Sequence, residues 1–170
     1  MSTADTVQSR PLRNGPEPFV DVSSIDLGSM MLSREALMER LPHRGLMLFL
    51  DGVIWHDPEF RRGVALKRVQ DDDFWVEGHF PGRPMMPGVV MVEAGAQLAS
   101  FLTQARRDDN RLVAFVRIEN AVFRGQVTPG DDLLLHAREV KFNPRRFVSD
   151  VQGWVGDRFI FEARIAGMTI

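Results

Sequence analysis

Apolar and polar positions divide this chain into three kinds of segment. The first 19 residues, MSTADTVQSRPLRNGPEPF, are polar and interrupted by proline and glycine, so residues 1–32 are expected to form a flexible extension. Ser33-Arg34-Glu35-Ala36 follows, a serine cap opening a short helix to about Arg40, which Pro42 ends. Leu46 to His56 and Phe60 to Val69 are apolar runs rich in β-branched and aromatic residues. Asp57-Pro58-Glu59 between them is turn chemistry, so the pair is expected to form a hairpin. The run Asp71-Asp72-Asp73 reads as a solvated turn. Four more strands are expected at Leu112–Phe123, Leu133–Phe142, Phe147–Val155 and Arg158–Met168. Asn143-Pro144 separates the second of these from the third, and Gly156-Asp157 suits a two-residue turn before the fourth. Strands this close, with no helices between them, pair antiparallel.

The segment PGVVMVEAGAQLASFLTQ, from Pro87 to about Gln104, differs from all of these. Proline is favoured at a helix start, where its missing N–H has no partner to lose. Beyond it the residues are small or apolar on every side, with only Glu93 and Gln97 polar in the middle. A helix apolar all round is buried or spans a membrane. The apolar stretches fall far short of the roughly 20 residues a span needs, and Glu93 would sit at mid-membrane. The expected arrangement is therefore a long central helix wrapped by an antiparallel sheet. This is the hotdog architecture of the α+β class, one domain over residues 33–170.

Composition narrows the chemistry. The 170 residues suit one domain with a substantial core. There is no cysteine, which excludes a disulfide framework, a thiolate nucleophile and a cysteine metal site. With 21 basic and 23 acidic residues the chain has no global field for nucleic acid or an anionic membrane. The polar start lacks the apolar core of a signal peptide, so a cytoplasmic protein is expected. His43, His56, His79 and His136 are too widely spaced for a helical metal-ligand pair, and no metal or other cofactor is called for.

Three features remain. Glu93 places a carboxyl in an apolar helix, where desolvation favours the protonated acid, and Gln97 lies one turn on within hydrogen-bonding reach. A purely structural Glu–Gln pair at a subunit interface fits the same pattern. His79, in Gly78-His79-Phe80-Pro81-Gly82, has no acidic neighbour, so in an apolar pocket it would be neutral and able to accept a proton. A histidine without a catalytic role is the alternative. Pro84, Pro87, Gly82 and Gly88 stiffen its link to the helix. Unpaired N–H groups and the positive dipole end gather at Gly88, where a carbonyl would be polarised, although glycine there also permits close helix–sheet contact. An acid, a base and an oxyanion donor without a nucleophile point to proton abstraction beside a carbonyl with loss of an adjacent hydroxyl, or the reverse hydration.

Three segments resemble the bacterial (3R)-hydroxyacyl-acyl carrier protein dehydratases of fatty-acid synthesis. LPHRGLMLFLDGV is similar to that family's L-P-H-R start and following apolar strand. GHFPGRPMMPGVVMVEAGAQ agrees with its G-H-F-P-G-x-P-x-x-P-G-V-x-x-x-E-A-x-A-Q at every specified position, and FRGQVTPGDDLLL resembles its F-x-x-x-V-x-P-G-D turn. The likeness spans roughly residues 33 to 168. It implies that His79 removes the C2 proton, Glu93 protonates the departing 3-hydroxyl, the Gly88 N–H holds the thioester carbonyl and Gln97 supports Glu93.

The resemblance also implies a homodimer in which the histidine of one subunit works with the glutamate of the other, with a trimer of dimers as a further assembly. A related branch that also isomerises the double bond has aspartate at the Glu93 position, so glutamate implies simple dehydration. Phe80, Met85, Met86, Met91, Phe101 and Phe115 are candidates to line an acyl tunnel, with ordinary core packing as the alternative. The pairs Arg106-Arg107 and Arg145-Arg146, with Lys141, are candidates to dock an acidic carrier protein, or are simply solvated. His43 and Arg44 read as structural, and Trp55, Trp75 and Trp154 as packing residues. The chain departs from the family at Gly45-Leu46, where Tyr-Pro is typical, at Arg117, where a small residue is usual, and in its longer start. A thioesterase on the same fold and a non-catalytic acyl- or carrier-binding subunit are the competing readings.

Overall fold

In the computed structural model, residues 15–109 and 111–170 are described. The elements in chain order are β1 (Leu32–Ser33), α1 (Arg34–Arg40), a 3-10 turn (Gly45–Met47), β2 (Gly52–His56), β3 (Arg62–Arg68), α2 (Gly88–Arg107), β4 (Val113–Phe123), β5 (Asp132–Asn143), β6 (Arg146–Val155) and β7 (Arg158–Thr169). The strands form one antiparallel sheet in the order β1-β2-β3-β5-β6-β7-β4. The sheet curls around α2, as the hotdog reading expects.

Strand alternation sets the two faces. On β5, Leu133, Leu135 and Ala137 turn inward to α2, while Leu134 turns outward. On β3, Ala65 is inward and Val64 and Leu66 are outward. The inner core packs against Met91, Ala94, Leu98, Phe101 and Leu102 of α2. Gly95 lets the helix settle on β6, since a Cβ there would meet Val151 at 3.1 Å. Gly156, at φ +55°, makes the β6–β7 turn that the sequence predicts.

The outer face carries its own apolar layer, to which part of the extension expected over residues 1–32 contributes. Residues 1–14 lie outside the described residues. From residue 15 onward the chain lies against the sheet, where Val20 is buried with Ile54, Val64, Leu66, Leu134, Trp154 and Phe159. The Phe19 N–H donates to Gln152 Oε1 at 3.1 Å, and the Arg138 guanidinium lies over the Phe19 ring. The apolar residues of an otherwise polar stretch are thus enough to dock it.

Two local expectations change. The run Leu46–His56 is strand only from Gly52; before that it forms the 3-10 turn and a connection whose Leu48, Phe49 and Leu50 are buried. Asp73 is not simply solvated, because it accepts a hydrogen bond from the nearly buried Lys67 ammonium at 2.8 Å.

Among the described residues, strand β4 pairs with β7 alone and forms an edge of the sheet. Its Phe115, Val116, Ile118, Val122 and Phe123 are exposed, a concentration of apolar surface unusual for a free edge.

Candidate active site

The loop from β3 to α2 holds His79 through Met85 at two points. The Met85 N–H donates to the His79 carbonyl at 2.8 Å, and His79 Nδ1 lies 2.8 Å from the Met85 carbonyl oxygen. A carbonyl only accepts, so Nδ1 carries the hydrogen and the neutral ring keeps its lone pair at Nε2. The Phe80 ring stacks on the imidazole at 4.1 Å between centroids. The His79 N–H donates to Trp75 O and the Met86 N–H to Val127 O, which tie the loop to the core.

His79 borders a cavity of about 440 Å³ shared with Met85, Met86, Gly88, Met91, Phe123 and Gln126. Gly88 opens α2 there. A Cβ at this position would lie 2.7 Å from Phe123 Cε1, so glycine admits the Phe123 ring against the first turn of the helix. The packing reason for a glycine is therefore present, beside a helix N-terminus that faces the cavity.

Glu93 lies elsewhere. Among the described residues it does not line this cavity, and neither do Gln97, Phe80 or Phe115. Its side chain is 28% exposed, less enclosed than the apolar sequence around it suggests. Gln97 is buried and orders the carboxyl. Gln97 Oε1 accepts the Phe49 N–H at 2.9 Å, and its amide nitrogen donates to the Met47 carbonyl at 2.8 Å and to Glu93 Oε1 at 3.0 Å. The predicted pairing one turn apart is thus present, anchored to backbone on both sides.

The sequence reading missed the place of His43, whose Nε2 is 3.5 Å from Glu93 Oε1. The signal available was the Leu-Pro-His-Arg segment itself, but fifty residues separate it from Glu93 and only the folded chain brings them together. Arg44 fixes this segment by donating to the carbonyls of Leu41, His43 and Met38, each at 2.7 Å. Phe123 at the end of β4 and Gln126 in the following connection, both at the cavity, were missed as well, since an exposed residue carries no sequence mark of what it lines.

Residues 41–164 match the FabA-like domain family. The chain belongs to that family. Curated relatives of this FabA-like protein include the 3-hydroxyacyl-(acyl-carrier-protein) dehydratase FabZ of Ralstonia nicotianae, 41% identical over 133 residues, which are 76% of this chain and 80% of that one. The enzyme of the same name from Koribacter versatilis is 38% identical over 131 residues, 74% of this chain and 81% of its own. Among solved structures, the dehydratase heterocomplex ApeI:P from Xenorhabdus doucetiae superposes with a TM-score of 0.68 at 14% identity, covering 79% of this chain and 90% of that one, which is a likeness of fold.

Several tunnel and docking candidates of this FabA-like chain take other places. Met86 is buried in the core as well as bordering the cavity, and Phe101 packs against Phe60 and His56 inside the sheet. Phe115 sits on the exposed face of β4. Arg106 pairs with Glu139 and covers the Phe142 ring, while Arg107 is bonded to Thr169 and the Pro144 carbonyl. Both tie the β5–β6 hairpin to the end of α2. Arg106 lies roughly 27 Å along the helix axis from Gly88, taking 18 residues at about 1.5 Å each. Among the described residues no helix is long and apolar enough to cross a membrane, and no group of three or more candidate ligands could hold a metal ion.

Proposed function

We propose that this protein dehydrates (3R)-3-hydroxyacyl thioesters carried by acyl carrier protein to trans-2-enoyl thioesters, as a cytoplasmic homodimer whose two sites are each built from both chains. The observation that carries this reading is the division of the site. One cavity holds His79, with Nε2 free as a base, beside the Gly88 helix start, while Glu93 of the same chain stands outside it.

The apolar surface supports a second copy as the source of the acid. Val89 is 73% exposed and lies one turn before Glu93 on the same face of α2. The edge strand β4 also presents exposed Val116 and Ile118. Burying these against another copy brings a partner helix to the cavity.

In the reaction, His79 Nε2 takes the C2 proton and the C2–H electron pair becomes the C2–C3 double bond. The C3–O bond breaks, and the departing oxygen receives the Glu93 proton and leaves as water. The Gly88 N–H and the helix dipole stabilise the negative charge that gathers on the thioester oxygen. The step is redox-neutral and uses no cofactor. A proton returning from His79 to Glu93 through water resets the pair.

Incubation with 3-hydroxyacyl carrier protein, followed by enoyl absorbance, tests the reading. His79→Ala and Glu93→Ala should each reduce turnover by about 10²–10⁴-fold. A mixture of the two variants should regain partial activity in verified mixed dimers. Full activity in either variant, or no recovery in mixed dimers, would overturn the assignment. Release of free thiol without enoyl product would identify a thioesterase, and binding without conversion a non-catalytic acyl-binding subunit.

A further inference from the structure

The carboxyl of Glu93 is not held symmetrically. Both neighbouring nitrogens converge on a single oxygen, Oε1: Gln97 Nε2 at 3.0 Å and His43 Nε2 at 3.5 Å. We propose that His43 is a positioning residue for Glu93, holding Oε1 together with Gln97 as its neutral Nε2–H tautomer, so that Oε2 carries the proton given to the substrate. The inference rests on Glu93 being the acid of the proposed reaction.

The orientation of Gln97 is not arbitrary. The Phe49 backbone N–H can only donate, so the Gln97 oxygen must face it and the amide nitrogen must face Met47 O and Glu93. Glu93 Oε1 is therefore an acceptor. The carbonyl oxygen of a carboxylic acid is its better acceptor, which leaves the hydroxyl at Oε2.

The tautomer of His43 follows from its two ends. Its Nδ1 is buried and has no hydrogen-bond partner among the described residues. A hydrogen on Nδ1 would be a buried donor without an acceptor. With the hydrogen on Nε2, the donor instead sits on the nitrogen 3.5 Å from Oε1. The opposite tautomer would set the Nε2 lone pair against the lone pairs of Oε1.

The backbone around His43 is fixed in advance of any ligand. Arg44 donates to the carbonyls of Leu41 and of His43 itself, Leu41 is buried at the end of α1, and Arg34 donates to the carbonyls of Gly45 and Leu50 at 3.1 and 3.0 Å. As Oε2 loses its proton, negative charge spreads to Oε1, where the Gln97 N–H already points and His43 Nε2 stands 3.5 Å away. A donor set in place before charge develops stabilises the transition state without reorganisation. The 3.5 Å separation is longer than a formed hydrogen bond, and the proposed role requires it to shorten once substrate is bound.

The test compares His43→Gln, which keeps an N–H donor at about the Nε2 position, with His43→Met and His43→Ala, which do not. Turnover of 3-hydroxyacyl carrier protein is measured alongside thermal melting. We expect kcat to fall roughly 10- to 100-fold in the Met and Ala variants with KM within about twofold, and to stay within about threefold in the Gln variant. Parental kcat in a folded Met or Ala variant, or equal loss in folded Gln and Met variants, overturns the role of His43. If Ala does not fold, the Gln and Met variants, similar in length to histidine, decide the comparison. Glu93→Gln and His79→Ala are assayed in parallel. If those two keep the parental rate, the acid–base reading itself has failed; if they are inactive while His43 variants are parental, only the positioning role is lost.

Discussion

The Phe49 backbone N–H and the Gln97 side-chain oxygen are 2.9 Å apart, and this bond decides which end of the amide meets Glu93. The pair joins the connection before β2 to the middle of α2 across 48 positions of sequence. Gln97→Met keeps most of the volume but leaves the Phe49 N–H and the Met47 carbonyl without partners. It should destabilise the fold by about 1–3 kcal/mol and lower kcat. Gln97→Glu would set a second carboxyl against Glu93 and the Met47 carbonyl and should be worse on both counts. Urea unfolding and steady-state kinetics check this, and a Gln97→Glu variant with parental stability would refute it.

Gly88 and Phe123 form a second tight relationship, since the space a Cβ would need is taken by the aromatic ring. Gly88→Ala should displace Phe123, which is exposed enough to move, and narrow the cavity beside His79. The expected result is a cost of about 1–3 kcal/mol in stability and a larger KM. Phe123→Leu should restore both in the double variant. Additive losses in the double variant would remove the steric explanation.

Asp150 tests the outer face. Burial raises the pKa of this carboxyl, but hydrogen bonds from Arg164 and Arg138 outweigh it and hold the group below the usual carboxylate range. Because the native value lies below the unfolded one of about 3.9, its contribution is complete above that pH and disappears as pH falls through the native value. Asp150→Asn should cost about 1–3 kcal/mol at pH 7 and almost nothing in strong acid. Melting temperatures of parent and variant across pH 2–7 should therefore converge at the acid end. A constant gap would mean that packing, not charge, is what the variant removes.

The β4 edge bears on assembly. Ile118 is exposed, so Ile118→Lys should leave the isolated chain folded. It should dissociate the proposed homodimer in analytical ultracentrifugation and abolish turnover, because His79 would then lack a partner's Glu93. A fully active dimer of this variant would place the interface elsewhere.

Arg106 distinguishes clamp from docking charge. Arg106→Ala removes the Glu139 ion pair and the cover over Phe142. It should lower stability by about 1 kcal/mol and leave kcat/KM for the carrier-bound substrate unchanged. A selective rise in KM for the carrier-bound substrate, without loss of stability, would restore the docking role.

The sequence alone determined most of the elements, because each depends on neighbours in the chain. The strand segments β5, β6 and β7 with the turn residues between them, the proline-led apolar helix and the Gly156 turn carry their own signals. Glu93 and Gln97 were legible as a pair because one helical turn separates them. Leu46–Leu50 was misread as strand because an apolar run does not say whether it pairs with a strand or passes over a helix. The first residues of the described chain looked unstructured because Phe19 and Val20 are few among polar residues, and their docking depends on an apolar outer face that only the assembled sheet creates. The convergence of His43 and Gln97 on one oxygen of Glu93, the separation of Glu93 from the His79 cavity, and the conversion of Arg106 and Arg107 into clamps were decided by tertiary structure. Each joins groups far apart in sequence, and a side chain's partner across such distances is set by how the sheet curls around the helix.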